Sequence, residues 1–157
     1  MNIIDKNKLI EHIESDLIGN EVIVLDSVSS TNTKMSELVS NNINEGTVLI
    51  SDKQTGGKGR MGREWFSPPG CNIYMSVLFE PEILPDFSPV FTFIASLAIV
   101  ETLKHFDFKP EIKWPNDVLL SQKKVSGVLT EMKSTGKRLD FIIVGMGLKC
   151  KYDKKYY

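Results

Sequence analysis

Residues 111–144 read as a meander, and this stretch limits the fold more than any other. Glu111 to Trp114 is extended, as the residue before Pro115 requires. Val118 to Leu120 and Val125 to Met132 are separated by the polar turn Ser-Gln-Lys-Lys at 121–124, and Leu139 to Val144 follows the Thr-Gly-Lys turn at 135–137. Strands joined this briefly pair with their neighbours. The remaining elements are mixed. Asp5 can cap a helix over 5–17 with Leu9, Ile10, Ile13 and Leu17 on one face. Val22 to Leu25 reads as a strand, and Ser29-Ser30-Thr31-Asn32 opens a second helix carrying Met35, Leu38 and Val39. Thr47 to Ser51 and Ile73 to Phe79 are strands, with prolines 81, 85 and 89 keeping the next connection irregular. Phe91 to Phe106 is apolar nearly all round, which predicts a helix buried against the sheet. The predicted class is α+β, a mixed, mostly antiparallel sheet packed with helices.

At 157 residues the chain suits one domain, which can bury roughly 70% of its unfolded surface. Nineteen basic side chains against 20 acidic ones give no overall attraction to nucleic acid, so any anion binding must be local. The apolar run Phe91 to Val100 falls short of the roughly 20 residues that span a bilayer, and no membrane partner is expected. The start, MNIIDKNKLIEHIESD, lacks a signal-peptide core, so a cytoplasmic location is the default expectation. Cys71, Cys150, His12 and His105 do not have zinc spacing. Nor does either histidine lie near a nucleophile signature.

The segment Gln54 to Trp65, QTGGKGRMGREW, alternates four glycines with Lys58, Arg60 and Arg63. Glycine lets backbone N–H groups face a concavity, and interleaved cations add charge-assisted bonds to an anion. Taken alone, such a loop is equally a surface loop with solvated charges. It follows neither the P-loop nor the dinucleotide fingerprint. A second cationic segment, KWPND at 113–117, precedes Lys123-Lys124. There Lys113 can polarise a carboxylate or phosphoryl oxygen and Asp117 can hold Mg²⁺, although Asn116-Asp117 also suits a plain turn with Trp114 in the core. Ser-Ser-Thr-Asn at 29–32 is by default a helix cap whose hydroxyls can also bind a polar ligand.

Six motifs together resemble the catalytic domain of biotin protein ligases: SSTN at 29–32, QTGGKGRMGREW at 54–65, SPPGCNIYMS at 67–76, KWPND at 113–117, KVSGVLTE at 124–131 and VGMGL at 144–148. The resemblance runs from about Val24 to Leu148. It implies the biotin–lipoate ligase fold, which is class II aminoacyl-tRNA-synthetase-like, and an ATP- and Mg²⁺-dependent joining of biotin to AMP. Transfer of biotin to a lysine of a biotin carboxyl carrier protein domain would follow. The runner-up readings are a lipoate-type ligase of the same fold, or a non-catalytic remnant that binds biotin or nucleotide.

The resemblance also implies roles for individual residues. Ser30, Thr31, Asn32, Gln54, Gly57, Lys58, Gly59, Arg60, Lys124 and Gly127 would contact biotin, with Leu129 against its rings. Arg60, Arg63, Trp65, Lys113 and Asn116 would contact ATP, with Trp65 on the adenine. Arg60, Lys113 and Lys124 would carry the catalysis and Asp117 would face the metal.

Only a short helix precedes the motifs, leaving no room for a DNA-binding helix-turn-helix, so no DNA partner is expected. After VGMGL, where the family continues with an asparagine and further helices, this chain has Lys149-Cys150. It therefore reads as a catalytic domain over 1–148, incomplete at its C-terminal end, and a polar tail over 149–157. Missing helices would expose an apolar sheet face, and the resemblance allows a homodimer.

Overall fold

The computed structural model describes residues 4–150; residues 151–157 of the predicted polar tail lie outside the described residues. Helix α1 (Lys6–Glu11) is followed by strand β1 (Val22–Val28), helix α2 (Thr31–Val39) and strands β2 (Val48–Gln54) and β3 (Asn72–Phe79). Helix α3 (Pro89–His105) then leads into β4 (Pro110–Lys113), β5 (Asp117–Leu120), β6 (Lys123–Thr135) and β7 (Arg138–Lys149). These form one seven-stranded sheet in the order β1-β2-β3-β7-β6-β5-β4. Only β1 and β2 pair in parallel, with α2 between them. Every other pairing is antiparallel, as the meander required.

Successive residues of a strand point to opposite faces, and β7 shows what each face does. Ile142 and Val144 pack with Val118, Val128 and Leu139 under Ala95, Ile99, Val100 and Leu103 of α3. Ile143, between them, joins Leu49, Leu78 and Met35 of α2 on the other side. Val48, Ile50 and Val77 extend the α3 side toward Leu9 of α1. By the same alternation Gly145, Gly147 and Lys149 fall on the α2 side. Two glycines in succession leave that face without side chains beyond the end of α2.

Four expectations need correction. Helix α1 stops at Glu11, because the Ser15 hydroxyl accepts the Leu17 and Ile18 N–H groups at 3.2 and 2.9 Å. A serine that captures nearby N–H groups competes with helix, and Ile10 and Leu17 are left exposed. The predicted four-residue turn at 121–124 is a two-residue turn. Ser121 and Gln122 both have positive φ, which matches the twist of a tight hairpin. Lys123 and Lys124 therefore belong to β6.

Helix α3 is apolar all round yet meets the sheet on one side only, so Ile94 and Leu97 are 57% and 53% exposed. Exposed apolar side chains lie on this helix face and also on the sheet, at Ile73, Ile112 and Met132. Finally, with the preceding turn, Pro85–His105 runs for 21 residues and contains an 18-residue stretch of mean hydropathy 1.4, enough by length and composition to cross a bilayer. In the fold it covers β6 and β4.

Candidate active site

The bare strip of sheet is the floor of a cavity. Gly127 of β6 and Gly147 of β7 are register partners, as are Leu129 and Gly145. A Cβ on Gly147 would run into the indole of Trp65, and one on Gly145 into the amide of Asn32. Glycine within a strand marks the close approach of another group. The cavity opens to solvent and is narrow as it stands, with about 50 Å³ of water-accessible space beneath the loop and Trp65.

One wall comes from the start of α2. Ser30 holds the cap position without a side-chain capping bond and lines the cavity. The capping is done instead by Gln54, whose Oε1 accepts the Thr31 N–H at 2.8 Å and the Thr31 hydroxyl at 3.2 Å. Gln54 Nε2 donates to Ser67 Oγ at 2.9 Å, which ties the foot of the glycine loop to α2. Asn32 is buried and satisfied on both sides. Its Nδ2 donates to Leu129 O at 3.1 Å and Glu131 Oε2 at 2.8 Å, and its Oδ1 accepts from Ser76 Oγ at 2.7 Å. Gln54 and Asn32 thus line the wall with amides that are already bonded within the chain.

The glycine loop forms the roof. It is more regular than expected, a narrow hairpin with Gln54 paired to Ser67 and Lys58 to Glu64. Gly59 N–H donates to Arg63 O at 2.7 Å and Trp65 N–H to Gly57 O at 2.8 Å. Met61, with φ of 58°, and Gly62, with φ of 73°, turn the tip. Gly57 is obligatory here, since a Cβ would strike the Trp65 carbonyl. Lys58, Gly59, Arg60 and Trp65 line the cavity. Lys58 Nζ stands 3.9 Å from Glu131.

The far wall comes from KWPND and β6. Asn116 and Lys124 line the cavity, and Arg60 Nη1 donates to Asn116 Oδ1 at 3.0 Å. The two cationic segments therefore meet. Lys124 Nζ lies 5.2 Å from the Trp65 ring centroid, within cation–π range. It is also 2.7 Å from Asp117 Oδ1, an ion pair off the hydrogen-bonding axis.

Several predicted residues are placed elsewhere. Arg63 and Gly57 line the outer hollow of the loop, not the cavity. Lys113 ends β4 opposite Asp117, exposed and outside the cavity wall. Trp114 does not fill the core; it is 75% exposed and stacks on Phe93 with centroids 6.3 Å apart. Cys71 is buried and Cys150 exposed. His12 bonds the Lys8 carbonyl, and His105 packs edge-on against Phe106. Sequence reasoning gave no role to Gly145, Met146 and Gly147, which line the cavity. The usable signal was VGMGL itself, two glycines at strand spacing.

Residues 24–149 match the biotin/lipoate A/B protein ligase family. The chain is 38% identical over 137 residues to the bifunctional ligase/repressor BirA of Bacillus subtilis, covering 87% of this chain and 42% of that protein. Against the Escherichia coli BirA it is 33% identical over 141 residues, covering 88% and 43%. It thus spans less than half the length of these relatives. The biotin protein ligase of Aquifex aeolicus, solved with biotin and ATP, superposes with a TM-score of 0.71 at 33% identity, covering 87% of this chain and 56% of that one. A biotin acetyl coenzyme A carboxylase synthetase from Helicobacter pylori, solved with biotinylated ATP, gives 0.70 at 25% identity, covering 87% and 64%. The mixed sheet with its helices is the fold of these ligases, as expected.

Proposed function

Since this chain belongs to the biotin/lipoate A/B protein ligase family, we propose that it activates biotin as biotinyl-5′-AMP and passes it to a lysine of a biotin carboxyl carrier domain. The observation that carries this reading is the meeting of Arg60, Lys124, Trp65 and Asn116, from distant segments, around one glycine-floored cavity. Relatives of the same fold are solved with biotin and ATP bound.

The chemistry asks for such a site. A carboxylate and an α-phosphate repel each other, so their approach needs fixed cations rather than a protein nucleophile. Lys124, oriented by Asp117 at 2.7 Å, would take the carboxylate. Arg60, held by Asn116, would take the phosphate, where a guanidinium binds two oxygens at once. The carboxylate oxygen attacks the α-phosphorus, and pyrophosphate leaves. In the second step a neutral lysine amine attacks the acyl carbon, AMP departs with the bonding electrons, and the amine proton goes to solvent. Ser30, Thr31 and Gly127 would meet the biotin rings, and Trp65 the adenine. Lys113 and Arg63 would reach the polyphosphate from outside the cavity.

Mg²⁺ would neutralise the phosphates when bound. Among the described residues no three histidine, cysteine or carboxylate groups cluster. Asp117 already holds Lys124, and Glu131 faces Lys58 and Asn32. That donor set fits an ion bound mostly through phosphate oxygens and water, with at most Asp117 from the chain.

The test is incubation of the full chain with ATP, Mg²⁺ and labelled biotin. Enzyme-bound biotinyl-adenylate is expected, followed by label on an added carrier domain. Pyrophosphate release with lipoate but not biotin would move the assignment to the lipoate branch. Calorimetric binding of biotin without turnover would leave a binding module.

A further inference from the structure

Gly127, Leu129 and Glu131 follow one another on the cavity face of β6, and the third is a carboxylate with no part in the chemistry proposed above. Glu131 stands between two walls of the site. Its Oε2 accepts from Asn32 Nδ2 at 2.8 Å, and its Oε1 lies 3.9 Å from Lys58 Nζ in the glycine loop. A carboxylate only accepts, so Glu131 also fixes which way the Asn32 amide points, with Nδ2 toward Glu131 and Oδ1 toward Ser76 Oγ. Glu131 itself does not line the cavity; it lies in the hollows beside and outside the loop. The loop thus has one contact inside the site, Arg60 with Asn116, and one outside it, Lys58 with Glu131. A phosphate arriving in the cavity competes for Arg60 and breaks the first. The reacting carboxylate and phosphate are taken by Lys124 and Arg60, so Lys58 keeps its ion pair while the site is loaded.

We propose that Glu131 is a positioning residue that acts through Lys58, holding the glycine loop over the loaded cavity and setting how long biotin and its adenylate stay. The proposal rests on the biotin-adenylating reading and adds to it a residue that touches no reacting atom. Both side chains of the pair are close to half exposed, at 48% and 42%, so the tether is weak. Weakness suits its task. The cavity is narrow as it stands, so the roof must lift to admit a ligand. A pair of this strength lets it lift, whereas a buried pair would resist separation.

The test uses the full chain carrying Trp114→Phe, which leaves Trp65 as the only tryptophan of the sequence. Trp65 ends the loop and rests on Gly147, so quenching of its fluorescence by acrylamide reads loop opening with or without ligand. Glu131→Gln keeps an acceptor for Asn32 and removes the charge that faces Lys58. It should raise the release rate of labelled biotin about threefold, with greater Trp65 quenching in the ligand-free chain. Added to Lys58→Met, it should change neither quantity further. Both effects should vanish near 1 M salt, where charges more than about 3 Å apart are screened. Release and quenching unchanged in Glu131→Gln overturn the proposal. So does an equal effect in the Lys58→Met background, which would route Glu131 through Asn32, and so does an effect that survives high salt. Adenylate formation with ATP and Mg²⁺, scored separately in the parent chain, distinguishes the two readings. If adenylate forms and Glu131 shows no coupling to Lys58, only the role of Glu131 fails. If Trp65 quenching shows the coupling and no adenylate forms, only the enzymatic reading fails.

Discussion

Arg60 Nη1 donates to Asn116 Oδ1 at 3.0 Å, joining residues 56 positions apart in the chain. The same Asn116 side chain donates its Nδ2 to Val128 O at 3.1 Å, so one amide connects the roof of the cavity to its floor. Beyond its foot the loop is docked through this exposed contact and the Lys58–Glu131 ion pair at 3.9 Å, and a ligand phosphate can take over the first. Ordering such a loop costs about 1–2 kcal/mol per residue, and the other fixed points lie at its foot, on Gln54 and Ser67.

Arg60→Gly removes both that contact and the cation assigned to the phosphate. The variant should still form biotinyl-adenylate but release it, so that lysines of a bystander protein become labelled. Labelled biotin, ATP and serum albumin in one tube check this. A variant that holds the intermediate as firmly as wild type would take Arg60 out of its binding.

Asp117→Asn keeps the shape and removes the partner of Lys124. The pair is partly exposed, so stability should change by no more than about 1 kcal/mol. Adenylation should nevertheless fall about tenfold, because a misplaced ammonium no longer meets the carboxylate. Raising Mg²⁺ separates the two roles of Asp117. A positioning residue is not rescued by more metal, whereas a metal ligand is.

The sheet was legible because its signals are local. Period-two runs and short polar turns placed β3 to β7, and the cap at Asp5 is present, its Oδ1 accepting the Asn7 N–H at 3.0 Å. What misled was any feature decided by a distant partner. Ser15 ended α1 by capturing two N–H groups, and α3, apolar all round, met only one surface. In the site, glycines and cations named by motif converge, but Gln54 and Asn32 spend their amides on Thr31, Ser67, Leu129 and Ser76. Gly145 and Gly147 stand in the VGMGL motif but received no role, because an empty floor has no chemistry of its own to read. Lys113 belongs to a cationic motif, yet β4 ends before carrying it into the cavity.

Gly147→Ala tests that floor. The added methyl meets the indole of Trp65, which must swing away or lift the loop. Overpacking of this kind costs about 1–3 kcal/mol. Biotin affinity should fall at least about tenfold, since tenfold corresponds to about 1.4 kcal/mol. A thermal melt and biotin calorimetry on the same sample read both, and unchanged values would mean that Trp65 does not rest on this strand.

Lys149 gives a prediction about pH. Burial first, and repulsion from Lys124 second, lower its pKa from the ordinary 10.5 in the folded chain. Between the lowered value and 10.5 the unfolded chain binds the more protons, so stability from this group rises as pH climbs through that window. Below the window Lys149 is charged in both states, and its confinement works against the fold. Lys149→Met removes that charge, so the variant should be more stable than wild type at pH 7. The advantage should shrink steadily as pH approaches 10.5. Paired urea unfolding curves from pH 7 to 10.5 measure the difference and cancel every other titration the two chains share. A difference that stays constant across the range would place the effect in packing against Trp65 rather than in the confined charge.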